Sequence, residues 1–309
     1  MRATVLAVAL LAAAFTSAPA TAQSLNGFDL RGALINPQEI HRGGPPKDGI
    51  PAIDRPKFIS ADKAQLDPGD RILGVARGGE AKAYPVRILN WHEVVNDKVG
   101  GEPVAVTYCP LCGSGVTFAA TIKGKPRSFG VSGLLYNSDV LLYDRETSSL
   151  WSQILAKAVT GPMKGEGLEI VPTAHTSWAD WRERHPKTLV LSEETGYARN
   201  YSRDPYAGYD VNPMIFFPVA NASARFDNKE VVLGVELGGA RKAYPFVELA
   251  KTDGTVIDTV GGRAIRVVYD AKHRTARVLD SGGRELPSVT SYWFAWYAFY
   301  PATEVFYSK

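Results

Sequence analysis

Cysteine is scarce in this chain of 309 residues, which contains only two, and several familiar features are missing altogether. The charges are interspersed with no run of Lys and Arg, which argues against a nucleic-acid-binding surface. Beyond the N-terminal segment, no stretch approaches the ~20 apolar residues of a membrane-spanning helix. A glycine-rich phosphate loop, a His-Glu-x-x-His zinc motif and a Gly-x-Ser-x-Gly nucleophile motif are also missing, so those three chemistries are not expected.

What the chain does contain is typical of a soluble globular protein. Hydrophobic residues make up 45% and charged residues 22% of the sequence, with a formal net charge of +3. Its length allows one large domain or two ordinary ones. The 29 glycines and 20 prolines predict a turn-rich and strand-rich chain.

The N-terminus has the pattern of an export signal. Arg2 supplies the positive end, residues 5–15 form a short apolar core, and small residues precede a cleavage site after Ala22. Removal of residues 1–22 would leave 34 basic and 32 acidic residues, a net charge of +2. No cysteine follows the cleavage site, which argues against a lipid anchor. We therefore predict a periplasmic or secreted protein.

An internal repeat is the most informative long-range pattern. ILGVARGGEAKAYPVRIL at 72–89 recurs as VLGVELGGARKAYPFVEL at 232–249, and DKVGGEPVAVTY at 97–108 recurs as DTVGGRAIRVVY at 258–269. Chance does not explain a match over about 37 positions that keeps its Gly-Gly and Lys-Ala-Tyr-Pro landmarks, so we predict an internal duplication.

Both copies predict the same local structure. In the first copy this is a strand at 72–76, a second strand ending at Tyr84, a helix from Val86 to about Val95, and strands at 104–108 and 115–122. The predicted fold is a strand-rich α+β fold in which two degenerate repeats, at about 70–122 and 230–280, pack in one large globular domain at 61–309. An irregular N-terminal arm occupies 23–60. Near the C-terminus, Trp293, Trp296 and Tyr300 share one face of a predicted core helix.

Both cysteines lie in one tight turn, Cys109-Pro110-Leu111-Cys112-Gly113, between two predicted strands. Such a pair has three interpretations: a disulfide, a redox pair or half of a metal site. A disulfide closing so small a loop would add little stability, and the second copy has Asp270-Ala271-Lys272-His273 instead. A thioredoxin-type pair starts a helix, whereas this pair precedes β-forming residues. Cys-Pro-x-Cys-Gly between strands instead resembles a metal knuckle, suited to copper, zinc or iron.

A knuckle supplies two ligands, and His92 is the leading candidate for a third. It lies on the apolar face of the helix after Pro85, and its counterpart in the second copy is Thr252, so the histidine is missing where the cysteines are missing. Glu93 follows it and is a candidate to hydrogen-bond a metal ligand or to line a pocket, and Tyr108 directly precedes the knuckle. We predict a mononuclear metal ion, with copper favoured.

Two other functions stay open. A periplasmic thiol–disulfide oxidoreductase could use Cys109 and Cys112, and a non-catalytic ligand-binding module could use the aromatic C-terminus or the polar segment 137–153. A metal ion or a small molecule is the predicted partner.

The chain also resembles a known family. WHEVVND, VTYCPLCGSG, FGVSGLLYNSD, LYDRETSSLWSQ and WFAWYAFYPATEVFY are similar, in the same order, to motifs of an exported bacterial and archaeal family, domain-of-unknown-function family 3179. The resemblance covers about residues 60–309 and implies no activity. It implies that the family signature includes His92, Cys109, Cys112, Asn96, Asp144, Ser149, Trp151 and Gln153.

Overall fold

The computed structural model of the protein describes residues 24–308, so the predicted signal peptide at 1–22 lies outside the described residues. The N-terminal part contains only short elements. They are strands β1 (Ser24–Leu25) and β2 (Phe28–Asp29), a 3-10 helix (Pro37–Glu39), and strands β3 (Ile40–Arg42) and β4 (Phe58–Ser60). The longest gap among these elements, residues 43–57, separates β3 from β4. Within residues 24–308, β1 pairs only with β2.

The next six elements form a hairpin, a helix and a meander. They are β5 (Arg71–Arg77), β6 (Glu80–Pro85), α1 (Val86–His92), β7 (Val94–Val99), β8 (Glu102–Cys109) and β9 (Ser114–Ala119). The helix is shorter than predicted, because Glu93 adopts a left-handed conformation (φ 57°) and closes it. The β-branched residues Val94 and Val95 then start a strand that pairs with β8, an environment that suits such side chains better than a helix.

A large insertion follows this unit. It contains β10 (Thr121–Ile122), β11 (Lys125–Pro126), β12 (Phe129–Tyr136), β13 (Asp139–Asp144), β14 (Leu150–Ser152), β15 (Lys157–Ala158) and β16 (Ile170–Val171). The chain then forms β17 (Ala174–Ser177), α2 (Trp178–Arg184) and β18 (Leu189–Leu191). Ser177 caps α2, since its side chain accepts a hydrogen bond from the Asp180 amide.

Residues 192–230 contain no helix or strand and lead into the last third of the chain. Its elements are β19 (Val231–Leu237), β20 (Ala240–Pro245), α3 (Phe246–Leu249), β21 (Thr255–Val260), β22 (Arg263–Asp270), β23 (Thr275–Leu279), β24 (Glu285–Leu286), β25 (Val289–Tyr292), α4 (Trp293–Phe299) and β26 (Glu304–Val305). The fold is therefore strand-rich with few helices and forms one globular domain.

Four larger sheets build the domain. An eight-stranded sheet runs β26-β20-β19-β25-β9-β8-β7, with β16 beside β9. Two five-stranded sheets run β15-β14-β13-β12-β3 and β17-β5-β6-β18-β4, and a four-stranded sheet runs β21-β22-β23-β24. The region predicted as an irregular arm thus contributes β3 and β4 as edge strands.

The same pairings occur twice in the structure. β17, β5, β6 and β18 are neighbours in the order in which β25, β19, β20 and β26 are neighbours, with the last pair parallel in both cases. A tryptophan packs on a glycine in each unit: Trp181 covers Gly74, and Trp296 covers Gly234. The indole N–H donates to Thr188 in the first unit and to Thr303 in the second.

The C-terminal aromatic residues are part of the core. Trp293, Trp296 and Tyr300 are 0%, 2% and 7% exposed, which confirms the predicted core helix. Their burial excludes these three rings as a surface for ligand stacking. None of the helices within residues 24–308 is both long and apolar enough to cross a membrane.

Candidate metal centre

The cysteine turn lies at the tip of the β8–β9 hairpin, as predicted. Cys109 pairs with Ser114 in the ladder, and the Cys112 amide donates to the Cys109 carbonyl oxygen at 3.2 Å. Gly113 has a φ of 57°, which a glycine adopts without strain, and the Tyr292 ring lies where a side chain would project from it. The turn is therefore both tight and covered. Both cysteines are free and buried.

A second hairpin tip meets this turn from the insertion. Asn137 and Ser138 form the two-residue connection of β12 and β13, both with positive φ, which is the backbone of a type I′ turn. The Ser138 carbonyl oxygen lies 3.4 Å from the Cys112 sulfur and 3.9 Å from the Cys109 sulfur. This turn is what brings the insertion to the cysteines.

Asp139 completes a cluster at this contact. Ligand atoms of Cys109, Cys112 and Asp139 all lie within 4.8 Å of one another, and all three residues are buried. One carboxylate oxygen of Asp139, Oδ2, accepts a hydrogen bond from the Ile154 amide at 3.1 Å. The other, Oδ1, is buried without a hydrogen-bond partner among the described residues. Two sulfurs and one oxygen are a donor set that transition metals accept.

The cluster is strongly desolvated, and this shifts its protonation equilibria. Burial raises the pKa of Asp139 to about 7 and raises the pKa of the Cys109 thiol. The pKa of Cys112 lies well above its ordinary value for the same reason. Burial and the nearby Asp139 also raise the pKa of Glu93 to about 8. Four acidic groups thus share one buried region, and among residues 24–308 neither Asp139 nor Glu93 forms a salt bridge.

His92, the predicted third ligand, is engaged elsewhere. Its Nδ1 atom lies 2.7 Å from the Pro51 carbonyl oxygen, and its Nε2 atom lies 2.6 Å from the Tyr201 hydroxyl. The described cluster contains Asp139 in its place. A ligand role for His92 stays a prediction, and it would require the imidazole to leave one of these two hydrogen bonds.

The remaining predicted residues form supporting networks. Asn96 bonds to the Asp54 carboxylate and to both backbone polar groups of Phe129. The Gln153 side chain links β8 and β9, since it donates a hydrogen bond to the Thr107 hydroxyl at 2.8 Å and accepts one from the Ser114 hydroxyl at 2.6 Å. A second network lies in the insertion: its members are Asp144, which accepts from Thr147 and from the Trp151 indole, and Ser149, which accepts from the Met163 amide.

Tyrosines of the irregular segment cover the cysteine turn. Tyr209 packs in the same core cluster as Cys109 and Cys112, and its buried hydroxyl has no hydrogen-bond partner among the described residues. Tyr206 packs against this cluster, and both tyrosines line a cavity of about 380 Å³ together with Tyr108. A segment of this length without regular structure is uncommon in a compact domain and is often functional.

Sequence reasoning missed Asp139 and Tyr209. Asp139 was part of the polar segment 137–153, and its position directly after a two-residue turn was visible. That the turn contacts the cysteines depends on non-local packing, which no periodicity reports. Tyr209 lies in a region where the sequence has no periodic pattern.

The comparisons with known proteins agree with the motifs. A family model described as "Protein of unknown function (DUF3179)" matches residues 47–303. The match starts earlier than the resemblance in the motifs, and it includes the knuckle, the insertion and α4. No curated protein and no solved structure matches the chain significantly.

Proposed function

The chain belongs to this family of unknown function, which supplies no activity, and we propose from its own residues that it is a metal-binding protein. The site is mononuclear, and Cys109, Cys112 and Asp139 are its protein ligands. The observation that carries this proposal is the grouping of three potential donors within 4.8 Å at a buried point.

Charge balance supports the proposal. Burying an anion without a counter-charge is costly, so such groups are held neutral or are paired with a cation. Here the pKa of Asp139 and of both thiols is raised by burial, and Asp139 Oδ1 has no partner among the described residues. A bound divalent cation would offset two of the three negative charges of the ionised donors and would give this oxygen a partner. Because the ligands must lose protons, metal binding would also release protons.

The donor set narrows the choice of metal. Two thiolates suit copper(I), zinc and iron, and copper was favoured from the sequence alone. A carboxylate oxygen as third donor shifts the balance towards zinc, which accepts Cys and Asp together. Zinc is therefore the proposed ion, with copper as the alternative that metal analysis distinguishes.

The burial of the site indicates its role. Cys109 is 2% exposed and Cys112 is 0% exposed, so exchange of a bound ion requires local opening of the covering residues. This supports retention of an ion, for metal handling or metal-dependent chemistry within the fold. It argues against the thiol–disulfide oxidoreductase, because an exchanging thiol needs solvent access and a lowered pKa.

Two further parts of the proposal rest on sequence. We propose export to the periplasm with cleavage after Ala22, which intact-mass measurement of the exported protein tests. We also propose that the two units arose by duplication. The repeated strand pairing and the two Trp-on-Gly contacts support that origin, and the metal site then belongs to the first unit and its insertion.

The test is elemental analysis of protein exported natively and never exposed to chelator. We expect about one zinc or copper ion per chain, and loss of this ion in Cys109→Ser, Cys112→Ser and Asp139→Asn. Asp253→Asn is the control for the carboxylate change, since Asp253 is exposed and, among the described residues, bonds only the Thr255 amide. His92→Gln tests the ligand predicted from sequence and is expected to keep the metal. Metal content that none of the three ligand variants lowers would contradict the site.

A further inference from the structure

A cavity of about 380 Å³ lies beside the cysteine turn, and none of its lining residues is a proposed metal ligand. Pro110 and Gly113 line one side of it, and the other sides include Arg71, Arg274 and His175. We propose that this cavity binds a small organic anion, with its charged head at the two arginines and its apolar body against the tyrosines. The inference goes beyond the proposed metal site and does not depend on it.

Arg71 is the innermost charge. Its guanidinium donates to the carbonyl oxygens of His273 at 2.7 Å, His175 at 2.8 Å and Arg274 at 3.2 Å, and it forms no salt bridge with a described residue. These carbonyls fix its position but leave its charge unbalanced. Burial, together with repulsion from Arg274, lowers the pKa of Arg71 to about 10. Both arginines line the cavity, and an anion that pairs with both guanidinium groups would be stabilised there.

The other charges around the cavity do not balance this pair. Lys229 adds a third positive charge, and in the described part of the chain its Nζ donates only to backbone carbonyl oxygens. Two carboxylates, Asp204 and Asp210, also line the cavity, and within the described chain neither forms a salt bridge with these cations. Asp204 is already bound by Asn90 and by the Tyr206 amide. The net charge of the lining is therefore positive.

A second observation points to a ligand. His175 Nδ1 is buried and has no hydrogen-bond partner within the described chain. Its ring stands edge-on to Tyr108, another lining residue, at 6.0 Å. A buried polar atom without a partner in a native structure indicates a missing bound group. Both residues lie on the Arg71 side of the cavity, since Arg71 bonds the His175 carbonyl.

The walls suit an apolar body. Tyr108, Tyr206, Tyr209 and Tyr292 all line the cavity, and aromatic rings pack well against a flat apolar group. The volume lies near the lower end of the ~300–1,000 Å³ range of ligand pockets, which indicates a small molecule. The chemistry shared by the expected ligands is an aromatic ring with one carboxylate or phosphate.

The test is calorimetric titration of the natively exported protein with benzoate, phenyl phosphate and inorganic phosphate. Arg274→Gln keeps the backbone carbonyl that Arg71 uses, and it is expected to weaken binding by about tenfold or more. Arg266→Gln is the control, because Arg266 is exposed on β22 away from the cavity. Asp210→Asn removes an opposing charge and should tighten binding by about two- to threefold. A Cys109→Ser, Cys112→Ser double variant should bind as well as wild type, which separates this inference from the metal site.

Each outcome of the titrations either supports or overturns anion binding in the cavity. Saturable binding of benzoate or phenyl phosphate that follows this order of variants supports the inference, and the better of the two probes identifies the head group. No saturable binding of either up to about 10 mM overturns it. Equal effects of Arg274→Gln and Arg266→Gln overturn it, since binding would then be non-specific. Inorganic phosphate binding as tightly as phenyl phosphate overturns the role of the tyrosine walls.

Discussion

The Nε2 atom of His92 lies 2.6 Å from the hydroxyl oxygen of Tyr201. That hydroxyl is also 2.6 Å from the Thr195 hydroxyl, so a short buried chain of hydrogen bonds joins helix α1 to the irregular segment 192–230. The opposite ring nitrogen of His92 bonds the Pro51 carbonyl. The imidazole therefore connects three parts of the chain that are far apart in sequence.

This connection predicts the effect of Tyr201→Phe. The change leaves His92 Nε2 buried without its partner, so the free energy of unfolding should fall by about 1–3 kcal/mol. Metal content should be unchanged, because Tyr201 is not among the proposed ligands. Urea unfolding measures the first effect and elemental analysis the second. Tyr197→Phe is the matched control, since Tyr197 is 43% exposed and its hydroxyl bond to Ala52 is long, at 3.5 Å. Loss of metal in Tyr201→Phe would contradict a purely structural role for the hydrogen bond between His92 and Tyr201.

The buried carboxyl group of Glu93 should make the stability of the metal-free protein depend on pH. Burial and Asp139 raise the pKa of Glu93 to about 8, whereas a carboxyl in the unfolded chain ionises near its ordinary pKa of about 4.3. Between these pH values the native state keeps a proton that the unfolded state has released. The stability that this group contributes is therefore complete below about pH 4.3 and is lost as the pH rises towards 8.

Glu93→Gln should remove this dependence. We expect the variant to be more stable than wild type at pH 8 by a few kcal/mol, since each unit of pKa shift corresponds to about 1.4 kcal/mol, and to differ little at pH 4.5. Unfolding curves at several pH values measure the difference between the two proteins. Glu102→Gln, at an exposed position, should show no such trend. A constant difference between Glu93→Gln and wild type would show that Glu93 is ionised in the native state.

Alanine substitutions at Gly74 and Gly234 should have similar effects on stability in the two units. A β-carbon at either position would overlap the ring of Trp181 or Trp296. Gly74→Ala and Gly234→Ala should therefore each lower the free energy of unfolding by about 1–3 kcal/mol, the usual cost of overpacking a core. Gly69→Ala is the control, because no atom lies within 4 Å of a β-carbon there. A neutral Gly234→Ala would mean that Trp296 moves freely and that the two contacts are not equivalent.

These contacts also show what the sequence could predict. The Gly-Gly and Lys-Ala-Tyr-Pro landmarks predicted two similar units, whose strand pairings do repeat. The sequence similarity extends beyond these landmarks: TSWADWRERHPKT at 176–188 and SYWFAWYAFYPAT at 291–303 share both tryptophans, the proline and the threonine at equal spacing. This similarity is present in the sequence, but it is difficult to recognise because the first segment is rich in charged residues and the second in aromatic residues. A common origin of the two units by duplication remains a prediction.

The candidate site was only half predictable. The cysteine turn is local, so its residues and its flanking strands determine its shape. Asp139 reaches it from a hairpin 27 residues further along, and the register of the two hairpin tips depends on how two sheets pack. His92 lay on an apolar helix face, where a ligand and a hydrogen-bonded core histidine have the same pattern. Only the positions of Pro51 and Tyr201 separate these two cases.

The contacts of Lys229 lead to a prediction about the solvent access of the two cysteines. Its Nζ atom donates to the carbonyl oxygens of Tyr209, Asn212 and Met214, each at 3.1 Å, and lies 3.3 Å from the centroid of the Tyr209 ring. One side chain thus holds the part of the irregular segment that covers the cysteine turn. Lys229→Met removes the three hydrogen bonds and the cation–π contact together.

In metal-free Lys229→Met, we expect Cys109 and Cys112 to react with a thiol reagent about tenfold faster than in wild type, because local opening becomes easier. Proteolysis near residues 209–214 should accelerate as well. Lys187→Met, at an exposed position on the surface, is the control. Faster proteolysis with unchanged thiol reactivity would show that the segment opens without uncovering the cysteines. Access would then depend on the other cover of the turn, the Tyr292 ring over Gly113, and Tyr292→Ala would be the variant that raises thiol reactivity.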